Sequence, residues 1–120
     1  MSLKKIFGSQ GEAYVAARLE KEGYVIIGRN YKKMHGEIDL IARKGNEIAF
    51  IEVKTRSYMH TDLDNLISPA QQRKIIATAK TYVAEHDLVD YVWRFDAALL
   101  IGTPPHQKLT YIPNAFMEEE

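Results

Sequence analysis

The 120-residue chain contains no cysteine, and this absence excludes disulfide bonds and zinc sites built on thiolates. A chain without disulfides fits the reducing cytoplasm, where we expect the protein to be located. No apolar run approaches the roughly 18 residues that a membrane-spanning helix needs, so we expect no membrane partner. The basic start, residues 1–5, is not followed by a long apolar stretch, and we therefore expect no signal peptide.

The chain also lacks a net charge, because 16 basic and 16 acidic side chains cancel. The charges are unevenly distributed: residues 1–60 carry a balance of +4 and residues 61–120 a balance of −4. The local field, rather than the total charge, decides whether a surface attracts nucleic acid. The first half therefore allows a basic face, and the alternative is an ordinary mixed surface with a solvated acidic tail at residues 118–120.

Several functional motifs are missing as well. The sequence has no glycine-rich phosphate loop, no helix-turn-helix pattern and no motif that places a Ser-His-Asp set. Its four histidines are scattered without the spacing typical of metal ligands. The length and the apolar content of 46% instead fit one globular domain with its own core, which we assign to residues 1–117.

Hydrophobic periodicity predicts an α/β domain in the order α-β-β-β-α-β, a mixed sheet flanked by helices. The first helix is expected at residues 8–23 with Ser9 as its cap, and the second from Pro69 to about Glu85 with Ser68 as its cap. Strands are expected at residues 24–30, 37–43, 47–55, 92–101 and, as a short optional edge strand, 109–112.

The most informative strings are Gly36-Glu37-Ile38-Asp39 and Ile51-Glu52-Val53-Lys54, on the second and third strands. The turn residues 44–46 between them predict that these strands pair as a hairpin. Residues two apart on a strand share a face, so Glu52 and Lys54 project together while their apolar neighbours face the core. Burying unpaired charge is costly, so these groups should meet a partner or line a cleft.

Asp39 on the second strand can lie beside Glu52. Strict alternation would put Glu37, Asp39 and Ile41 on one face of that strand. The opposite face would then carry Ile38, Leu40 and Ala42. Two carboxylates about 4 Å apart repel by about 4 kcal/mol at an effective dielectric constant of about 20. A divalent cation turns this repulsion into attraction, and magnesium prefers such oxygen ligands. Lys54 could then orient a metal-activated water or stabilise the developing negative charge.

An ordinary salt bridge is the alternative, between Glu52 and Lys54 or between Asp39 and Arg56. Surface ion pairs are common and weak, so a lone Glu-x-Lys carries little weight. The acid on the preceding strand and the apolar flanks favour the chemical interpretation. For Glu37 we expect a pairing with Arg56 or Lys54 before any role in the site.

The order and spacing of these strings resemble the YraN family, small and largely uncharacterised bacterial proteins similar to archaeal Holliday-junction resolvases. Those resolvases belong to the PD-(D/E)xK nuclease superfamily. The resemblance covers nearly the whole chain and is strongest at residues 36–42 and 50–56. Further matching positions are Gly8, Gly11, Glu12, Ala16, Leu19, Gly23, Tyr24, Asn30, Tyr31, Gln72, Arg73, 94–96 and 114–116.

The resemblance implies a restriction-endonuclease-like fold and a Mg²⁺- or Mn²⁺-dependent endonuclease that acts on nucleic acid, in the first place branched or structured DNA. Asp39 and Glu52 would be the metal ligands and Lys54 the catalytic lysine. Glu12 would be a further catalytic glutamate from the first helix, although a role in the helix cap explains it equally well. Related resolvases work as dimers, so a homodimer is expected.

Contacts to nucleic acid are expected from Arg56 on the third strand and from Gln72, Arg73 and Lys74 on the second helix. Many relatives carry basic residues at the two positions before Gln72. This chain has Ala70 and Gln71 there, so its second helix carries less positive charge. The polar outer face of an amphipathic helix is the alternative. Two other functions stay open, a non-catalytic nucleic-acid-binding module and a protein-interaction domain on the same fold.

Asp96 lies within the apolar fourth strand and also matches the family pattern. Because an unpaired buried charge is costly, we expect it to bind Arg94 or a backbone group.

Overall fold

A computed structural model describes residues 3–58 and 63–119 of the chain, so Glu120 of the predicted acidic tail lies outside the described residues. Its elements confirm the α/β class and follow the order α-β-β-β-α-β-β. They are α1 (Leu3–Lys21), β1 (Val25–Lys33), β2 (Gly36–Lys44), β3 (Glu47–Arg56), α2 (Pro69–Glu85), β4 (Val92–Ile101) and β5 (Lys108–Phe116). Neither of these helices combines the length and apolar character that crossing a bilayer requires.

The five strands form one mixed sheet in the order β1-β2-β3-β4-β5. Neighbouring strands are antiparallel except β3 and β4, which run parallel because α2 carries the chain back between them. β3 is the central strand, as its continuous apolar run predicts. The optional edge strand is real and longer than predicted, since β5 has nine residues.

One helix covers each face of the sheet, so every inward-facing strand residue meets a core. α1 packs its apolar side chains, among them Val15 and Leu19, on one face together with Leu40 and Ile51. α2 packs Ile75 and Tyr82, with other apolar residues, on the opposite face. Polar side chains on the strands are therefore enclosed unless they lie near an edge or an end of the sheet.

The two helix starts differ in how well the sequence predicts them. α2 begins as expected, with Pro69 in its first turn and Ser68 Oγ accepting a hydrogen bond from the Gln71 backbone N–H at 3.1 Å. The predicted start of α1 is wrong, because the helix begins at Leu3 and Ser9 lies inside it. The good helix formers before residue 8 outweigh the single glycine there. Glu12 therefore lies in mid-helix, and its alternative role in the cap is lost.

The predicted alternation of β2 is wrong at Ile38. Leu40 and Ala42 face α1, but Ile38 packs with Ile41 in the core under α2. The backbone of β2 therefore turns between Ile38 and Leu40, and Asp39 lies at this turn.

Asp96 is fully buried in β4 and has the partners that its burial requires. Arg94 Nε donates to both carboxylate oxygens at 3.0 Å, and the backbone N–H of Asn114 donates at 2.9 Å. The hydroxyl of Tyr111 donates as well. Both expected kinds of partner are confirmed. The contacts join β4 to β5 where their pairing shifts register between Phe95 and Ala97.

Replacing Asp96 by Ala should lower the free energy of unfolding by about 3–5 kcal/mol, because Arg94 and its neighbours lose their acceptor inside the protein. Urea denaturation measures the loss. Asp90→Ala, at an exposed position, is the matched control and should change stability by less than about 0.5 kcal/mol. Equal losses in the two variants would contradict the structural role of Asp96.

Candidate active site

The predicted acidic residues meet where β2 and β3 separate. Backbone pairing of these strands runs from Lys44–Glu47 to Leu40–Ile51, and Asp39 and Glu52 are the next residue on each strand. The Asp39 carboxylate turns toward β3, where its Oδ2 accepts a hydrogen bond from the Val53 backbone N–H at 2.8 Å. At the end of the β2–β3 pairing, the Asp39 side chain thus takes the place of a backbone carbonyl as the acceptor for Val53.

Glu52 and Lys54 project from β3 toward α2, on the face opposite to Ile51 and Val53, as their spacing predicts. The Lys54 Nζ atom lies 3.5 Å from Glu52 Oε1. This is the ion pair that the salt-bridge alternative predicts. It lies inside the fold, however, since Glu52 is only 9% exposed.

Gln71 in the first turn of α2 completes this side of the site. Its Nε2 donates to Glu52 Oε1 at 3.0 Å, and its Oε1 accepts from Lys54 Nζ at 3.1 Å. Residue types and spacing did not point to Gln71. The available signal is the Ser-x-x-Gln pattern at residues 68–71, which fixes Gln71 in the first turn of the helix but does not show that this turn lies over β3.

The two central acids resist ionisation. Burial, and after it the negative charge of Asp39, raises the pKa of Glu52 to about 7, although Lys54 opposes the rise. Burial also raises the pKa of Asp39, against the effect of its hydrogen bond from Val53. The two carboxyl groups lie within hydrogen-bonding reach of each other. Two carboxyl groups therefore share a site that holds one ammonium group.

Glu12, on α1, lies near Asp39. Burial, and after it the charge of Asp39, raises the pKa of Glu12, while a hydrogen bond to Asn30 lowers it. Nothing in the sequence pattern pointed to this contact between Glu12 and Asn30. The backbone of Asn30 has a φ of 49°, in the left-handed region. Across residues 3–58 and 63–119, no three or more His, Cys, Asp or Glu side chains group closely enough to hold a metal ion. Glu12 is thus an electrostatic neighbour of Asp39.

The other predicted pairings around the site differ from expectation. Arg56 Nη1 donates to the Thr55 carbonyl at 2.9 Å. Within the part of the chain that the structure describes, Arg56 makes no salt bridge to Asp39, and Glu37 makes none to Arg56 or Lys54. Glu37 is exposed, and its charge raises the pKa of Asp39 instead. The expected pairing of Glu37 with Arg56 or Lys54 is therefore wrong.

The residues predicted to contact nucleic acid fall into two groups. Arg56 is exposed at the end of β3, and Arg73 and Lys74 are exposed in the first half of α2. Gln72 is engaged elsewhere, because its Nε2 donates to the Ile67 carbonyl at 2.9 Å. A role for any of them in binding stays a prediction.

The raised pKa of Glu52 predicts how stability depends on pH. Between about pH 4.5 and pH 7 the folded state binds a proton that the unfolded chain has released, so stability falls as the pH rises through this window. At about 1.4 kcal/mol per pKa unit, the loss amounts to about 3–4 kcal/mol. Glu52→Gln removes this titration and should flatten the profile, measured by urea denaturation without divalent ions.

Glu20→Gln, on the exposed face of α1, is the control and should keep the wild-type slope. A Glu52→Gln variant that loses stability as steeply as the wild type would contradict the assignment.

Comparison with known proteins identifies the family. Residues 11–100 match the profile of the uncharacterised protein family UPF0102. A UPF0102 protein of Alkaliphilus metalliredigens is 40% identical over 116 residues, which cover 95% of this chain and all of the relative. A UPF0102 protein of Chloroflexus aurantiacus is 44% identical over 98 residues, covering 81% and 80% of the two chains. A UPF0102 protein of Geobacter metallireducens is 38% identical over 118 residues, which cover 97% of this chain and 97% of the relative.

These matches confirm the resemblance to the YraN family, which is the same group of proteins. The family profile includes the residues that form the site, from Glu12 to Gln71. The chain therefore belongs to the uncharacterised protein family UPF0102.

Proposed function

We propose that the protein is a magnesium- or manganese-dependent nuclease that hydrolyses phosphodiester bonds of nucleic acid in the cytoplasm. One observation carries the proposal: the carboxyl groups of Asp39 and Glu52 adjoin each other inside the fold, both with raised pKa values, beside the ammonium of Lys54. Perturbed acids of this kind cluster at functional sites. A divalent cation would relieve their repulsion and favour the ionised form of both.

The donor set of Asp39 and Glu52 fits such a cation. Both supply hard carboxylate oxygens, and magnesium commonly takes one or two carboxylates together with waters and substrate phosphate. When bound, the cation supplies Lewis acidity toward the phosphate and lowers the pKa of a coordinated water. Because Glu52 has a pKa of about 7, it would release its proton as the cation binds near neutral pH.

Lys54 and Glu12 would act around this pair. Lys54 holds its charge 3.5 Å from Glu52 Oε1, where it can donate to a phosphate oxygen and stabilise the negative charge that develops there. Glu12, with its raised pKa and its hydrogen bond to Asn30, can hold a proton or a water on the α1 side of the site.

The substrate would lie across the end of the sheet where β3 ends and α2 begins. Arg56 is exposed at the end of β3, Arg73 and Lys74 are exposed in the first half of α2, and each can neutralise a backbone phosphate without reading sequence. Two parts of the proposal depend on the resemblance to resolvases alone. The first is the substrate, DNA, with branched or structured DNA as the first candidate. The second is the working assembly, a homodimer.

Cleavage of labelled duplex, junction and single-stranded DNA tests the proposal. The wild type should cleave with Mg²⁺ and not with a chelator, and Glu52→Gln and Lys54→Ala should each slow cleavage at least about 100-fold, because each removes a group that stabilises charge in the transition state. Glu20→Gln should stay within about twofold of the wild type.

Salt-sensitive binding without cleavage would contradict the nuclease and favour a nucleic-acid-binding module. The absence of both binding and cleavage would favour a protein-interaction domain on the same fold.

Magnesium should also stabilise the folded protein, because it binds the native carboxylate pair and not the unfolded chain. The rise in melting temperature should be larger at pH 8 than at pH 6, since protons compete with the cation for Glu52. Thermal denaturation with and without Mg²⁺ measures the difference. The rise should vanish in Glu52→Gln, and an equal rise in that variant would place the cation elsewhere.

A further inference from the structure

The side-chain amide of Gln71 has one orientation that suits both of its partners. A lysine ammonium can only donate hydrogen bonds, so the group that faces Lys54 must be an acceptor. The amide oxygen therefore belongs beside Lys54 Nζ, at 3.1 Å, and the amide nitrogen beside Glu52 Oε1, at 3.0 Å. An uncharged amide, through its nitrogen and its oxygen, thus joins Glu52 to Lys54.

The position of Gln71 in the helix makes this arrangement unusual. In a Ser-x-x-Gln capping box, the glutamine side chain normally returns to the backbone N–H of the capping serine. Here Ser68 forms its half of the motif, with Oγ 3.1 Å from the Gln71 backbone nitrogen, while the side chain of Gln71 turns to Glu52 and Lys54. Gln71 is therefore held from both ends, its backbone by the cap and its amide by the site.

The distances indicate what Gln71 does for Lys54. The Lys54–Glu52 contact of 3.5 Å is longer than the 2.7–2.9 Å of a typical charge-assisted hydrogen bond, and the shorter contact of Lys54 is the one to Gln71. Lys54 is thus oriented by a neutral oxygen, which leaves its charge available to a substrate. Both Gln71 and Lys54 approach Oε1 of Glu52, so Oε2 takes part in neither contact and can face a cation.

We propose that Gln71 is a positioning residue of this site, whose side-chain amide fixes the Lys54 ammonium relative to the Glu52 carboxylate. The role in catalysis rests on the proposed function, because it requires Lys54 to be catalytic. The positioning itself does not, since it concerns the order of one side chain in the folded protein.

The order of the Lys54 side chain tests the positioning without any reaction. NMR relaxation of the Lys54 Cε group, measured without divalent ions, should show an order parameter that falls by about half in Gln71→Ala, as expected for a side chain released from its contact. Gln71→Glu keeps an acceptor for Lys54 and should retain most of the order. If Lys54 stays as ordered in Gln71→Ala as in the wild type, the proposal is wrong.

Gln72→Ala is the matched control, because it removes the same side chain from the next position of the same helix. The amide of Gln72 donates to the Ile67 carbonyl instead of the site, so this variant should leave the order of Lys54 unchanged. A fall as large as in Gln71→Ala would mean that a general loosening of α2 is the cause, and this would also overturn the proposal.

Kinetics test the catalytic consequence. With Mg²⁺ and DNA, Gln71→Ala should lower kcat about tenfold and leave KM within about twofold, while Gln71→Ala in a Lys54→Ala background should cause no further loss. An equal loss in both backgrounds would show that Gln71 acts independently of Lys54. If the wild type does not cleave, the nuclease proposal fails, and the order of Lys54 still decides whether Gln71 positions it.

Discussion

One hydrogen bond determines the form of the site: the Asp39 carboxylate accepts from the backbone N–H of Val53, where a neighbouring strand would normally supply a carbonyl. The β2–β3 ladder stops one residue earlier, at Leu40–Ile51, and β2 turns so that Ile38 and Leu40 face opposite cores. Because the strands separate there, the next side chains on each, Asp39 and Glu52, share the space between them.

The fold encloses a second buried acid that shows what a purely structural carboxylate looks like. Asp96 receives two hydrogen bonds from Arg94 and further ones from Tyr111 and the backbone of Asn114, so its charge is balanced by a guanidinium and neutral donors. At the other site, two carboxyl groups share the single ammonium of Lys54. Burial, together with the charge of a neighbouring acid, raises the pKa of both Asp39 and Glu52, and a cation from outside would offset this effect.

Features of this chain that depend on neighbouring residues along the sequence could be predicted, and features that depend on packing could not. The apolar run of β3 and the cap at Ser68 are local, and both are present as expected. The Ser9 cap is also a local signal, but it fails because the helix-forming residues before it extend α1. The turn at Asp39 and the contact of Gln71 with β3 require that separate elements meet in space, so no periodicity reveals them. The residue types and spacing pointed to Asp39, Glu52 and Lys54, whereas the supporting amides of Gln71 and Asn30 appear only in the folded chain.

The central claim is that Asp39 and Glu52 together form a site for one divalent cation. Anomalous diffraction from crystals soaked in Mn²⁺ tests it most directly, because manganese scatters anomalously and takes the same oxygen ligands as magnesium. The account predicts one strong peak about 2.0–2.3 Å from an oxygen of each carboxylate, with waters completing an octahedron. Crystals that bind manganese only at other acids, or in which the two carboxylates share a proton and exclude the ion at pH 8, would contradict it.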